Sequence, residues 1–527
     1  MDRSDREIRP SAWQSRLRQI FGATLVLVIT GILTRVMMLL TQVVIAQKFG
    51  LSASSDAYLA TENIPEIFLD FVAVGFSMVF IPMFTQCRIV QGEDEAWKFA
   101  SSFLLLSTSV SAVFAGIAVP GAPLVVSLMA PGFRGSTRQT AITLVRIMSL
   151  SIVFLGLDAG VRGLLQSHRE FVIPELARMA YNSVLLVFAW TLSGRLGIFV
   201  LGWGIVSGAV LQMAIQFLGA SKRGFLKLVW AFDLAGVKQA AKRLLPFLVA
   251  ISGMKIVLLL DRAVASGLSE GSVAALTYAG RIILLPVGIF AIPLSTTLYP
   301  DLSTLAAQSQ FRELAKTVLS GLRALLFIVI PACVGLAVLR IPLTRLFFQR
   351  GVFDHLATLA TGEALAYYAG GVPAIAMIFV LNNVYLALGQ VFALIKLNVL
   401  NWLTNLFLSL ILSRYLGHYG IALGTSMSVT LTAILMIYFL KRHQLESLNV
   451  RSLFNSVCKI NSGSAVMGFL LMLLLNLSKP VLVQALPYYQ FLQVAVLILI
   501  GVSIYLIVGH WLKLDELMML TMAFRKL

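Results

Sequence analysis

The stretch AQKFGLSASSDAYLATENIP (46–65) has a counterpart in ASGLSEGSVAALTYAGRIILLP (265–286), and PGFRGSTRQTAIT (131–143) is answered by FFQRGVFDHLATLA (347–360). Pro65 is followed by Pro82 in the first copy, and Pro286 by Pro300 in the second. The offset stays at about 220 residues, the mark of an internal repeat. Many secondary carriers consist of two related halves with a substrate site between them. The pattern therefore points to a carrier rather than an enzyme or a receptor.

Composition agrees. Apolar residues make up 59% of the chain and charged residues only 12%, about half the charge of a soluble domain. No polar stretch is long enough for a separate catalytic domain. The three cysteines (Cys87, Cys333, Cys458) lie far apart, without metal-binding spacing, and read as packing residues. No HExxH and no GxxxxGK[ST] occurs, so neither zinc hydrolysis nor ATP hydrolysis is expected. The polar, basic N-terminus lacks a cleavage signal, so the first helix is expected to be retained. The net charge of +18 reads as cytoplasmic loops meeting anionic lipid, not as a nucleic-acid surface.

A helix needs about 20 apolar residues to cross a bilayer. Fourteen such runs are predicted: 20–46, 56–84, 99–130, 138–161, 172–194, 197–220, 244–266, 272–304, 318–340, 358–387, 391–413, 419–440, 460–477 and 488–512. The expected fold is an all-α polytopic membrane protein with two six-helix repeats around a central cavity and two extra C-terminal helices. Its parts are a cytoplasmic segment (1–19), an N-lobe (20–221), a basic linker with an amphipathic surface helix (222–243), a C-lobe (244–440), and the last two spans with a tail (441–527). With the N-terminus inside, about 25 Lys/Arg fall in cytoplasmic segments and about 9 outside, as the positive-inside rule requires. Gly204 and Gly208 form a GxxxG that reads as helix packing.

Charges within spans normally face a partner or a wet cavity. Arg146, Arg178 and Arg323 lie near span ends, where they can snorkel. Arg35, Lys255 and Arg281 lie well inside helices 1, 7 and 8, drawn from both halves. Cations converging on a shared cavity suit an anionic head group, and arginine suits phosphate oxygens. In span 2, Glu62, Glu66 and Asp70 share one helical face. They could pair with those cations and hold the cavity shut, bind a coupling proton or cation, or select a cationic substrate.

Several blocks taken together resemble a known family. TRVMMLLTQVVIAQKFGLSASSDAYLA (34–60), APGF (130–133), RIM (146–148), DRAVASGLSEGSVAALTYAGR (261–281), LFFQRGVFD (346–354), YLALGQ (385–390) and LGHYGIALGTSMS (416–428) occur in register. They resemble the MurJ/MviN lipid II flippases of the multidrug/oligosaccharidyl-lipid/polysaccharide exporter superfamily, over about residues 20–440. The resemblance implies alternating access around a cationic cavity, with a groove at the last two helices for an isoprenoid tail. The implied substrate is an undecaprenyl-pyrophosphate-linked sugar, moved from the inner to the outer leaflet of the bacterial cytoplasmic membrane. The implied partners are that lipid, membrane lipids and cell-wall synthesis proteins, with the chain as a monomer and no nucleic acid.

Family positions carry over to Arg35, Asp56 and Arg281 as substrate-binding residues, with Lys255 standing where a glutamine is common. Other family charges fall on Thr41, Leu69 and Leu284, which are neutral here. Some members resemble cation-coupled carriers, and the matching positions are Asp261, Asn401, Asn405 and Thr425. Asp261 could instead pair with Arg262. No cofactor is expected beyond a coupling monovalent cation, a proton or the membrane potential. The rival readings are a flippase for an exopolysaccharide or O-antigen-type lipid-linked oligosaccharide, a cation-coupled drug antiporter, and a non-transporting scaffold. Prolines 65, 82, 286, 293 and 300 and the Gly370–Gly371 pair are the expected bending points.

Overall fold

The computed structural model describes residues 12–66, 80–168, 170–225, 253–482 and 487–517, with side chains described outside 12–29, 32, 253–255, 478–482 and 487–489. Among these residues the regular structure is helical. In the first half the helices are α1 (Ala12–Phe49), α2 (Ala53–Thr61), α3 (Ile81–Val90), α4 (Glu93–Ala118), α5 (Ala122–Met129), α6 (Gly135–Ser149), α7 (Ser151–Ser167), α8 (Val172–Thr191) and α9 (Phe199–Lys222). They are followed by α10 (Gly253–Ala265), α11 (Ser272–Pro286), α12 (Ile292–Ala307), α13 (Phe311–Val338), α14 (Arg340–Phe348), α15 (His355–Ala369) and α16 (Val372–Ala387). The chain ends with α17 (Val391–Leu416), α18 (His418–His443), α19 (Val450–Leu482) and α20 (Pro487–Trp511).

Among the described residues, ten helices are long and apolar enough to cross a bilayer, and a bent pair makes an eleventh. These match eleven of the fourteen predicted spans. Part of the first span lies among residues whose side chains are outside the described set, and the second and seventh fall partly on residues outside it, as do Asp70, Leu69 and most of the 222–243 linker.

Two breaks fall where the sequence places them. Pro286 has no N–H to give, and the helix passes through a π turn at Val287–Ala291 before α12 resumes. At Gly370–Gly371 the pair α15 and α16 bends by 50°. The carbonyls of Tyr367 and Tyr368 accept bonds from the Ser426 hydroxyl at 2.7 and 3.2 Å, and Tyr368 also keeps the Gly371 N–H at 2.9 Å. Gly371 permits this because a Cβ there would overlap the Ser426 backbone. A buried side-chain donor thus replaces a missing helical one.

The chain divides into two compact units. The first comprises 1–45, 62–125 and 142–245. An aromatic cluster forms where α3 meets α4, with Phe80 stacked on Phe84 and Phe99 at 5.5 and 5.8 Å. Added methyls on Gly204 and Gly208 would press on Leu185 and Tyr181, so the GxxxG does seat α9 against α8.

The second unit comprises 46–61, 126–141 and 246–527. It therefore includes short pieces of the first repeat. Val352 donates its N–H to the Gln47 carbonyl at 2.9 Å, and Gly132 donates to Ser266 Oγ at 3.0 Å. Gly351 holds a positive φ of 57°, and a Cβ there would collide with the Gln47 carbonyl. The motifs that repeat in sequence are thus the ones that meet in this collar. Of the cysteines, Cys333 is buried as expected, but Cys458 is exposed and is not a packing residue.

Candidate functional site

Four groups of polar or apolar side chains are built into these units. In the second unit, Asp261 of α10 is 3% exposed. Its Oδ2 accepts the Thr425 hydroxyl at 2.7 Å, and its Oδ1 accepts Asn405 Nδ2 at 3.1 Å and the Ser409 hydroxyl at 3.5 Å. Asn405 Nδ2 also donates to Thr425 Oγ1 at 3.1 Å. Asn401, Asn405 and Ser409 recur at four-residue steps, so they form one stripe on α17. Gly424 lets α18 approach that stripe, since its Cβ would lie 3.0 Å from the Ser409 nitrogen. The amide oxygens of Asn401 and Asn405 are buried with no hydrogen-bond partner. An orphaned buried acceptor costs roughly 1–3 kcal/mol, and two on the stripe that meets this carboxylate are compatible with a small cation. The described residues contain no group of three or more His, Cys, Asp or Glu placed to hold a metal. One carboxylate among neutral oxygens suits a monovalent ion. Three of the four predicted residues are joined by hydrogen bonds, Asn401 sits one turn away, and Ser409 was not foreseen.

Asp56 is 4% exposed. Its two oxygens accept the backbone N–H groups of Gly271 at 2.7 Å and Ala274 at 2.8 Å. These are donors of the first turn of α11, which no side chain of its own caps. Glu270 returns the bond by accepting the Ala53 N–H at 2.7 Å. Asp56 was expected to bind substrate. Instead both its oxygens are used to clamp the helix that carries Arg281.

The remaining predicted residues divide between the units. Arg35 is exposed on α1 in the first unit, and Arg281 is half-buried on α11 in the second. Lys255 lies on α10, its side chain outside the described set. Glu62 is buried and Glu66 exposed, and both lie within electrostatic reach of Tyr181 on α8. At the neutral family positions, Thr41 is buried and bonds its own helix at Met37 O, whereas Leu284 is 47% exposed.

An apolar cavity of about 540 Å³ opens between α11, α13, α19 and α20. Phe327, Pro331, Met467, Leu471, Ile498 and Leu506 are among its walls. The Tyr505 hydroxyl donates to the Phe327 carbonyl at 2.9 Å and ties α20 to α13 at its edge. The first unit holds a second buried polar group, to which sequence reasoning assigned no role. Asp158 of α7 pairs with Arg162 at 2.8 Å and accepts Gln212 Nε2 at 2.7 Å and Gln216 Nε2. The signal for it was available: Gln212 and Gln216 lie one turn apart in an otherwise apolar helix.

Comparison with known proteins supplies the context. The family model described as lipid II flippase MurJ matches residues 45–507. The lipid II flippase MurJ of Burkholderia cenocepacia is 26% identical over 433 residues, covering 80% of this chain and 84% of that protein. A probable lipid II flippase MurJ of Rhizobium tropici is 26% identical over 488 residues, covering 89% and 90%. Among solved structures, a lipid II flippase MurJ in an inward closed conformation superposes with a TM-score of 0.78 at 24% identity, covering 92% of this chain and 98% of that one. An inward-facing multidrug resistance MATE family transporter superposes at 0.69 with 15% identity, covering 79% and 95%.

Proposed function

The chain belongs to the MurJ family of lipid II flippases, and from that premise we propose that it carries lipid II from the inner to the outer leaflet of the cytoplasmic membrane by alternating access. The observation that supports a lipid substrate is the apolar cavity walled on one side by α19 and α20, the two helices outside the repeat. A carrier of water-soluble cations has no need of such a wall. A polyprenyl tail does, because it must stay in an apolar medium while the head group crosses.

In this reading the lobes are 20–221 and 244–440, joined by the basic linker 222–243, with the N-terminus inside. Arg35, Arg281 and Lys255 engage the pyrophosphate and adjoining sugar. Binding neutralises these cations and relieves their mutual repulsion, which favours closure on the inner side and opening on the outer. Asp56 acts on Arg281 through the backbone of α11, as a positioning and gating residue. Glu62, Glu66 and Asp70 pair with cations in one state of the cycle. A monovalent cation at Asp261, Asn401, Asn405 and Thr425 couples transport to an ion gradient, and the two orphaned amide oxygens support it. The chain works as a monomer beside cell-wall synthesis proteins.

The test is complementation. The chain is expressed in a Gram-negative strain depleted of its own lipid II flippase, and external lipid II is assayed with an added lipid II-cleaving enzyme. Restored growth and external cleavage, both lost in Arg35→Ala and Arg281→Ala, are the expected result. A well-inserted protein with no external lipid II would overturn the lipid II assignment and favour another polyprenyl-linked glycan.

A further inference from the structure

A second cavity of about 540 Å³ lies beyond one end of the apolar groove and is built from the same elements. Its walls are polar. Arg323 comes from α13, Arg451, Ser456 and Lys459 from α19, and Asp515 and Glu516 from the turn after α20. On α13 only one turn separates Arg323 from Phe327, where the apolar groove begins. At 1.5 Å per residue that is about 6 Å. The two cavities therefore form an amphipathic pair, a polar cup at the foot of an apolar channel.

The charges in the cup are not equivalent. Arg323 Nε and Nη2 donate to Glu516 at 2.7 Å and Asp515 at 2.8 Å, so this arginine is committed to fixing the end of α20. Arg451 and Lys459 are exposed, and both line the cup from α19. Asn449 caps the same helix through Ser452 N at 3.0 Å, which sets the positive end of its dipole beside Arg451. Ser456 is 6% exposed and lines the cup. Two cations with no ion pair among the described residues, a helix N-terminus and a buried serine are the chemistry that receives a phosphate.

The channel above decides what carries that phosphate. Its α13 wall runs from Phe327 to Leu339, and Leu343 continues it on α14. From Phe327 to Leu339 the helical rise alone is about 18 Å, more than the roughly 15 Å of one leaflet. An ordinary acyl chain ends within its leaflet, whereas a polyprenyl chain does not. We propose that the cup seats the phosphate of a polyprenyl phosphate lipid whose chain lies in the groove, a docking position separate from Arg35 and Arg281. The cup lies on the side that the charge bias makes cytoplasmic, so the lipid would dock there before its head group is carried. That ordering rests on the flippase reading, whereas the binding itself does not.

Binding is measured by native mass spectrometry and titration on the full chain in detergent. The probes are undecaprenyl phosphate, phosphatidylglycerol and inorganic phosphate. Undecaprenyl phosphate is expected to bind saturably. Affinity should fall about tenfold or more in Arg451→Gln/Lys459→Gln, since each near-surface cation contributes roughly a fivefold factor toward an anionic lipid. It should also fall in Gly335→Phe, because Gly335 lines the groove and a Cβ there meets nothing within 4 Å. That variant fills the channel without disturbing packing, and the charge variants replace exposed residues.

Unchanged affinity in both variants would overturn the proposal. So would phosphatidylglycerol binding equally well, which would make the cup a phospholipid site. Inorganic phosphate displacing the lipid only from the wild type supports the shared phosphate cup. If the wild type flips lipid II but the variants bind normally, this inference alone fails. If it binds the prenyl phosphate but flips nothing, the flippase reading alone fails.

Discussion

Asp56 caps the helix that carries Arg281: its carboxylate accepts the N–H groups of Gly271 and Ala274 across 215 and 218 residues of chain. A cap supplied by the opposite repeat ties one half's entry segment to the other half's helix. Asp56→Ala leaves two buried donors unmet and should destabilise this arrangement by about 2 kcal/mol. Asp56→Asn keeps one acceptor and should fall between. The measurement is thiol labelling of a cysteine placed at Glu270, which bonds Ala53 in the same collar. Labelling should rise in the order wild type, Asn, Ala. Equal labelling in all three would show that the clamp does not hold the collar shut.

The Asp261 cluster should respond to monovalent cations. A ligand that binds only the folded state stabilises it by RT ln(1 + [L]/Kd), about 2.7 kcal/mol at a hundred times Kd. Sodium, potassium and lithium are compared with choline in a thermal-unfolding assay of the purified protein. One of the three should raise the midpoint by a few degrees. Asp261→Asn, which keeps the shape and removes the charge, should abolish the shift, and Asn401→Leu should reduce it. A midpoint insensitive to all three cations would leave the cluster as a hydrogen-bonded tie between helices.

Eleven of the spans and two of the bends were legible because they rest on long apolar runs, proline and paired glycine, all local signals. The Asp261 cluster was named through the family resemblance, and Asn401 and Asn405 do stand one turn apart in an apolar helix. Ser409 is the next step of the same stripe, but serine is common in spans bonding its own helix, so its role emerged only when α17 met α18. Asp56 was legible as functional and not as a cap, because its partners are backbone groups of a distant segment, and backbone donors leave no mark in sequence. Arg323 was expected to snorkel. It instead meets Asp515 and Glu516, contacts that depend on α20 returning beside α13.

Transport should separate the flippase reading from an antiporter reading. If Arg35 and Arg281 engage the pyrophosphate as proposed, Arg35→Ala and Arg281→Ala each remove a charge-assisted contact worth roughly 1.5–3 kcal/mol, so lipid II flipping should fall at least about tenfold. Glu62→Gln and Glu66→Gln should cost less. Flipping is read by external cleavage of lipid II, and export of a cationic dye serves as the comparison. Dye export abolished by the glutamine changes and untouched by the alanine changes would support the antiporter.

The last prediction concerns stability rather than transport. Asp158 is fully buried and holds Arg162, Gln212 and Gln216 together, joining α7 to α9. Removing one member of a buried ion pair leaves the other uncompensated and typically costs roughly 3–5 kcal/mol, more than the pair itself contributes. Asp158→Leu should therefore lower the thermal midpoint sharply and reduce the amount of inserted protein. Asp158→Leu/Arg162→Leu removes both charges and should recover much of the loss, because the apolar pair no longer strands a cation. The two variants are compared by fluorescence-detected size exclusion after heating. If the double variant is as unstable as the single one, the loss stems from stranding Gln212 and Gln216 rather than Arg162. The cluster would then be held by its amide hydrogen bonds, with the ion pair secondary.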